Sequence, residues 1–423
     1  MAEVRKPIPV EEAISHVWDH RLNGKAEFVS INDCDNRRLA EDIVAKHPVP
    51  PFPKSPYDGF ALRSEDTLEA DRDNPMTFEV VEHIGAGQLP EKRLHKGQAT
   101  RIMTGAKIPE DADCIAMFEI CQVHEQDNRS FMSVKRTIAS GQNIIEKGSE
   151  VADGEKLINR GTLISPGTKA VLATFGYSQV KVAKKPVIGV IATGTELLDV
   201  DEELKPGKIR NSNAYMITSQ IIRAGAEYKY FGKLEDELKT SYETIKQALN
   251  EVDILITTGG VSVGDFDLMP AIYEKLDADV LFNKVAMRPG SVTTVAAAGG
   301  KLLYGLSGNP SACYVGFELF ARPAIQYYLF NQTPFLRRIK AILANDFPKP
   351  NPFTRFVRSY ITYENGRVNA NLAGIDKSNV VTSLAHSNSL MILPGGTRGF
   401  KAGDEVEAML LNDQQGQSEF LLE

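Results

Sequence analysis

The most regular hydrophobic pattern of the chain lies between residues 186 and 330. Val187-Ile-Gly-Val-Ile-Ala192 is a short β-branched run of the kind that forms a buried strand, and it ends at Thr193-Gly-Thr-Glu196. A stretch with Met216, Ile217, Ile221 and Ile222 at helical spacing follows, with Ser212 or Asn213 placed to cap it. A second helical stretch, about 238 to 252, carries Tyr242, Ile245, Leu249 and Val252 on one side. Asp253-Ile-Leu-Ile-Thr-Thr258 predicts another buried strand, and a helix through Tyr273 and Leu276 comes after it. Val280-Leu-Phe282, Ser291 to Ala297 and Lys301 to Leu306 read as further strands, and a long helix is predicted from about Pro310 to Leu329. Strands alternating with helices predict a doubly wound, largely parallel sheet.

The pattern shortens on both sides of this region. Thr77 to Val81, Gln98 to Met103, Cys114 to Phe118 and Phe131 to Lys135 are short strands between Gly and Asp turns, the signature of a small β domain or barrel. Ile339 to Leu343, Phe356 to Tyr363, Arg367 to Ala370, Leu390 to Leu393 and Glu405 to Leu411 predict a second one at the end of the chain. Residues 8 to 23 read as a helix with Ile14, Val17 and Trp18 on one side, and 166 to 176 as another. His16 and His20 share a face of the first helix, but Val17 stands where a zinc protease carries Glu, so a solvated face is the expectation. His47 to Pro56 holds five prolines, which forbid helix and mark a stiff connection near a domain boundary. The fold class is therefore multidomain α/β plus β: a central doubly wound α/β domain, 183–330, flanked by small β domains at 46–145 and 331–423.

Composition narrows the function. At 423 residues the chain is long enough for two to four domains, and 42% hydrophobic with 24% charged residues is a soluble globular balance. The formal charge of −7 argues against a general affinity for nucleic acid, while leaving room for anionic small molecules at local basic sites. No apolar run is long enough to cross a bilayer, and the first residues have no signal-peptide core, so no membrane association is expected. Cys34, Cys114, Cys121 and Cys313 form no CxxC pair and read as reduced core residues of a cytoplasmic protein.

Ligands of parallel sheets bind outside the carboxyl ends of the strands, where three loops converge: Thr193-Gly-Thr-Glu196, Gly259 to Asp267, and Leu306-Ser-Gly-Asn-Pro-Ser311. Gly259, Gly260, Ser262 and Gly264 bring little side-chain bulk, and glycine lets a ligand approach the backbone closely. Ser307, Gly308, Asn309 and Pro310 lead into a helix amino terminus, which reads either as a phosphate site or as a plain cap. Four loop acids, Glu196, Asp236, Asp265 and Asp267, suggest Mg²⁺ beside a phosphate. Lys284 and Arg288 precede a Pro-Gly turn and are placed to meet an anion, and Arg355 and Arg358 add positive charge. Neither GxGxxG in dinucleotide spacing nor GxxxxGK[ST] is present, so ordinary dehydrogenase and ATPase readings fall.

Five motifs in order carry a resemblance: Ser55-Pro-Tyr-Asp-Gly-Phe-Ala61, Arg101-Ile-Met-Thr-Gly-Ala106, Thr193-Gly-Thr-Glu-Leu197, Gly259-Gly-Val-Ser-Val-Gly264 and Ser307-Gly-Asn-Pro310. Together they resemble the molybdopterin molybdenumtransferases, the MoeA family, related to the E domain of gephyrin. The resemblance implies a transferase of molybdenum cofactor biosynthesis that uses molybdate and adenylylated molybdopterin with Mg²⁺ and releases AMP. It implies a discontinuous linker or dimerisation domain from 1–45 and 146–182, and a homodimer whose active-site clefts are shared by both chains. By motif, Asp58 and Thr104 would line the cleft. Glu196, Asp236 and Asp267 would serve Mg²⁺, molybdate or substrate, and Lys284, Arg288 and Arg358 would meet anionic charge, with Ser378 as a neighbour. Molybdopterin adenylyltransferase and apo-molybdoenzymes are the implied partners. The family often has Lys-Pro-Gly-Lys/Arg-Pro where this chain has Met287-Arg-Pro-Gly-Ser-Val292, so one basic residue is lost. Glu150 stands where Asp is common, and Tyr57 where Met is. The alternatives are a molybdopterin adenylyltransferase, whose Gly-Gly-Thr-Gly this chain lacks, and a non-catalytic molybdopterin-binding scaffold. A protein sharing only the α/β domain, of the competence- or damage-associated kind, is a weaker third.

Overall fold

The computed structural model describes residues 6–234, 237–260, 268–413 and 416–420. The chain divides into two compact units, one of Met1–Glu41, Arg160–Lys169 and Ser178–Glu423, the other of Asp42–Asn159 and Ala170–Tyr177.

The larger unit is built on a six-stranded sheet in the order Glu227–Leu234, Val187–Thr193, Ile254–Thr258, Lys301–Leu306, Thr294–Ala298, Asp279–Phe282. The first four strands are parallel, Thr294–Ala298 runs antiparallel to them, and Asp279–Phe282 pairs antiparallel with Thr294–Ala298. Gly299 and Gly300, both at positive φ, form the two-residue turn that reverses the chain between Thr294–Ala298 and Lys301–Leu306. The largely parallel expectation thus holds for the part of the sheet that carries the loops. Alternate strand residues feed two cores. Ile188, Val190, Ile254, Ile256, Leu302 and Tyr304 pack with Ile217, Ile221 and Phe317. Ile191, Leu255 and Leu303 pack with Ile245, Ala248 and Ile272 on the other face. Such two-sided burial is why these strands read as unbroken apolar runs.

Helix Ser212–Arg223 is capped by Asn211, whose side chain accepts from the Ala214 N–H at 3.1 Å, rather than by Ser212 or Asn213. The long helix expected from Pro310 runs as Pro310–Gly316, a π turn Phe317–Ala321, and Arg322–Tyr328. Its buried Glu318 pairs with Arg223 and, at 3.8 Å, with Arg322. Helix Val10–Asp19 packs its Val10, Ala13, Ile14 and Val17 into the first core. Its His16 meets the Leu281 carbonyl at 3.1 Å and is part-buried instead of solvated.

The C-terminal strands Thr354–Glu364, Arg367–Leu372, Arg338–Leu343, Glu405–Leu410 and Ser389–Leu393 pair in that order, and the last pairs back onto the first. The result is a closed five-stranded barrel with no free edge along that ring, filled by Val357, Ala370, Met391, Leu393 and Ala408. Met287–Arg288 joins it in parallel, with Met287 opposite Thr354 and Arg288 opposite Arg355.

The smaller unit holds a six-stranded sheet in the order Cys114–Met117, Gly59–Leu62, Gln98–Ile102, Met76–Ile84, Arg129–Val134, Cys121–Gln126. Gly59 opens its strand directly after Asp58. Gly59 is required there because a Cβ would lie 2.2 Å from the Ala116 carbonyl oxygen. All four cysteines are free thiols, three of them buried and Cys121 partly so. Burial pushes the Cys114 and Cys121 thiols up to about 12. No helix among the described residues is long and apolar enough to cross a membrane.

Candidate active site

The sequence-derived residues fall into three places. In the smaller unit, strand Gly59–Leu62 pairs antiparallel with Gln98–Ile102, Gly59 opposite Ile102. That register sets the residue before one strand beside the turn after the other. Asp58 Oδ1 accepts from the Thr104 backbone N–H at 2.7 Å and from the Thr104 hydroxyl at 2.8 Å. These two bonds, the backbone one foremost, hold the Asp58 carboxyl below its ordinary range, and Arg101 adds a smaller pull. Asp58 remains open to solvent, an ionised carboxylate fixed in direction and available to a ligand.

In the larger unit, the loops after Val187–Thr193 and Lys301–Leu306 converge with Gly259 and Gly260, the described start of the third loop. They line a cleft of about 680 Å³ that includes Glu196, Gly259, Gly260, Ser307, Gly308, Asn309 and Pro310. Gly259 and Gly260 both have positive φ and lie against Thr193, where a Cβ would approach its hydroxyl oxygen to 2.7–2.8 Å. The Glu196 carboxylate folds back over Gly194, within 2.5–2.8 Å of where a Cβ there would stand. Asp236, Ser262, Gly264 and Asp267, with Asp265, lie outside the described residues. Among the described residues no group of three or more His, Cys, Asp or Glu is gathered for a metal. Glu196 alone is compatible with Mg²⁺, which is commonly held by one or two carboxylates together with substrate phosphates.

An adjoining cavity of about 570 Å³ shares Val292, Ser307, Asn309 and Asn379 with the first. Four cationic residues line it, Arg288, Lys349, Arg355 and Lys377, against one carboxylate, Asp376. The ladder that sets Arg288 opposite Arg355 brings two guanidinium-bearing residues from distant parts of the chain together. Ser378 also lines this cavity. Its carbonyl accepts the Ser311 N–H at 3.0 Å, and the Ser311 hydroxyl donates to the Val380 carbonyl at 2.6 Å. One N–H expected to be open to phosphate at the start of this helix is therefore engaged by the 375–380 loop.

Arg358 has another task. It is 2% exposed, and its guanidinium donates to Asp376 at 3.2 Å, Ser383 at 3.1 Å and the carbonyls of Ile375 and Lys377 at 3.1 Å each. It braces the loop that carries Asp376 to Asn379. Asp376 is further bound by Arg355 at 2.8 Å and Lys349 at 3.5 Å. Lys284 sits in the connection after Asp279–Phe282, its carbonyl accepting from the Ile8 N–H at 3.1 Å, and it lines neither cavity. Sequence reading missed Lys349, Asp376, Lys377, Asn379 and Asn213. Lys349 between Pro348 and Pro350 was the one local signal, a basic residue held on a stiff segment.

Three family models match in succession: the MoeA N-terminal region (domain I and II) over residues 8–176, a probable molybdopterin binding domain over 189–327, and the MoeA C-terminal region (domain IV) over 340–411. The molybdopterin molybdenumtransferase of Bacillus subtilis (strain 168) is 57% identical over 416 residues, 98% of this chain and 97% of that one. The chain belongs to the molybdopterin molybdenumtransferase family. A member from Staphylococcus epidermidis (strain RP62A) is 47% identical over 420 residues, 99% of both chains. Two structures of the Pyrococcus horikoshii molybdopterin biosynthesis MoeA protein superpose with TM-scores of 0.85 and 0.79 at 28% and 30% identity. Each covers 96% of this chain, and 99% and 100% of the other. The expected fold, a molybdopterin-binding α/β domain flanked by β domains, is thus borne out in both sequence and structure.

Proposed function

We propose that this protein is the transferase of molybdenum cofactor biosynthesis that inserts molybdenum from molybdate into adenylylated molybdopterin, with release of AMP. The observation that carries the reading is the junction of the two cavities. A cleft of nucleotide-ligand size opens beside a cavity with four cations and one carboxylate, and Ser307 and Asn309 belong to both. A tetrahedral dianion needs concentrated positive charge, and a guanidinium offers it in a rigid fork with little loss of side-chain entropy. Arg288 and Arg355 would therefore bind molybdate directly, with Lys349 and Lys377 raising the local potential. Arg358 would act through the loop it braces. Departure of AMP requires neutralisation of charge on the phosphate, which fixed donors at the end of the sheet supply without reorganisation.

Mg²⁺ would supply Lewis-acid polarisation of that phosphate, and Glu196 would hold it together with Asp236 and Asp267. Lys284 would add long-range positive potential. Gly259, Gly260, Ser262 and Gly264 would let the ligand lie against backbone, and Ser307, Gly308, Asn309, Pro310 and Ser378 would border the anion. Asp58 and Thr104 would contribute as a carboxylate fixed by a hydroxyl and a backbone N–H, in a homodimer whose clefts are shared by both chains. The dithiolene sulfurs belong to the pterin, so no protein thiol is required. The reaction would run in the cytoplasm, downstream of a molybdopterin adenylyltransferase and upstream of apo-molybdoenzymes. Matches to the N- and C-terminal MoeA regions on either side disfavour an adenylyltransferase.

The test is direct. Purified protein with Mg²⁺, molybdate and adenylylated molybdopterin should release AMP and yield a product that activates an apo-molybdoenzyme. Absence of both, with verified substrate, would sink the reading.

A further inference from the structure

Asn213 occupies the first turn of helix Ser212–Arg223 and lines the 680 Å³ cleft, yet it is 8% exposed. Because Asn211 performs the capping, the Asn213 side chain is released from the helix terminus and turns to the opposite loop. Its amide nitrogen donates to the Gly308 carbonyl at 2.8 Å. A carbonyl can only accept, so this bond fixes which end of the amide is nitrogen and which is oxygen. The oxygen is buried and has no hydrogen-bond partner among the described residues.

An orphaned buried acceptor is costly unless something regularly satisfies it. We propose that Asn213 is a specificity-determining residue of the cleft, its carboxamide oxygen accepting a hydrogen bond from the exocyclic amine of a flat ligand heterocycle. The surroundings suit such a ring. Leu197, Ile209, Leu234 and Leu268 line the same cleft, and Ile209 is 57% exposed, an apolar surface that a ring face would cover. The bond to Gly308 couples the amide to the Ser307–Pro310 loop, which borders the anion cavity as well. One side chain would thereby read the ring while fixing the loop beside the anion. The inference rests on the proposed function for the ligand's identity. Adenylylated molybdopterin carries an exocyclic amine on both its adenine and its pterin, so the acceptor chemistry is common to both.

The experiment is a ligand-against-residue cycle by titration calorimetry on the full-length protein. One arm compares AMP with purine riboside 5′-monophosphate, which lacks the amine; the other compares pterin with lumazine, which replaces it by a carbonyl. Wild type should prefer the amine-bearing member of one pair by about 10-fold, the scale of one buried neutral hydrogen bond. Asn213→Leu should bind both members of that pair equally. A preference in the adenine arm places the adenylyl half at Asn213, and one in the pterin arm the pterin half; both support the proposal. Asn213→Ser and the wild-type comparison serve if the leucine variant does not fold. Equal binding within both pairs by wild type, or a preference that persists undiminished in a folded variant, overturns it. AMP release by wild type is measured separately, so loss of this inference is distinguishable from loss of the functional reading.

Discussion

Arg358→Met separates two roles that the chemistry of an arginine near an anion would otherwise confuse. In the structure the guanidinium makes four hydrogen bonds, all to the protein: Asp376, Ser383 and the carbonyls of Ile375 and Lys377. Its side chain is 1% exposed, and that of Asp376 is 5% exposed. Methionine fills much of the volume but leaves the Ser383 hydroxyl unpaired and Asp376 with one fewer cation, while the Ile375 and Lys377 carbonyls each lose one of two donors and keep the Lys377 and Val380 N–H groups at 3.1 and 3.3 Å. Removing one partner of a buried pair costs about 3–5 kcal/mol. Asp376 retains Arg355 and Lys349, which argues for the lower end, about 3 kcal/mol. Trp18, the chain's single tryptophan, lies in the same unit against Tyr327 and Phe335 and gives a fluorescence probe for urea unfolding. The variant should lose about 3 kcal/mol of stability on that probe, and molybdate affinity should fall with it because Lys377, Ser378 and Asn379 lose their brace. Arg288→Met is the contrast. Arg288 is exposed and its guanidinium makes no hydrogen bond or ion pair among the described residues. It should lose molybdate affinity with stability unchanged to within about 0.5 kcal/mol. An Arg358→Met protein of wild-type stability that no longer binds molybdate would refute the bracing argument and make Arg358 a direct ligand.

Three further outcomes are expected. Thr104→Val removes the hydroxyl bond to Asp58 but keeps the backbone one, so the Asp58 carboxyl should titrate closer to its ordinary value, followed by carbon NMR of the carboxyl. With its folded value depressed, Asp58 stabilises the fold above the unfolded value of about 3.9, and that contribution is lost as pH falls through the folded value. An unchanged titration in the variant would show that the hydroxyl is not a cause. Gly194→Ala puts a Cβ against the Glu196 carboxylate at a residue with φ of +134°, a strain of about 1–3 kcal/mol. It should raise the Mg²⁺ concentration needed for half-maximal AMP release several-fold, and an unaltered Mg²⁺ dependence would remove Glu196 from the metal's surroundings. The four thiols, all raised by burial, should resist iodoacetamide at pH 7.5 in the native protein and react after unfolding; rapid native labelling would contradict their burial.

The sequence by itself determined the strands and helices whose residues are buried by alternation or helical period, from Val187–Thr193 to Ser389–Leu393, because burial writes directly into apolar spacing. It determined the loop glycines too, since Gly259 and Gly260 hold backbone conformations that other residues avoid. It did not reveal the edge strand Glu227–Leu234, whose Glu, Lys and Tyr side chains bury no continuous face and carry no period. The cap at Asn211 was missed because three neighbouring residues, Asn211, Ser212 and Asn213, are all good caps and only backbone geometry chooses among them. Tertiary structure alone decided the division of labour among the arginines. Arg355 and Arg358 look alike three positions apart on one strand, but Arg355 lines the anion cavity while Arg358 is consumed by the loop beneath it. Tertiary structure also paired Arg288 with Arg355 across 67 positions of chain, and turned Asn213 from a candidate cap into a buried acceptor. Apolar period records which face is buried. Which polar group is already satisfied, and which is left for a ligand, depends on partners that only folding brings within reach.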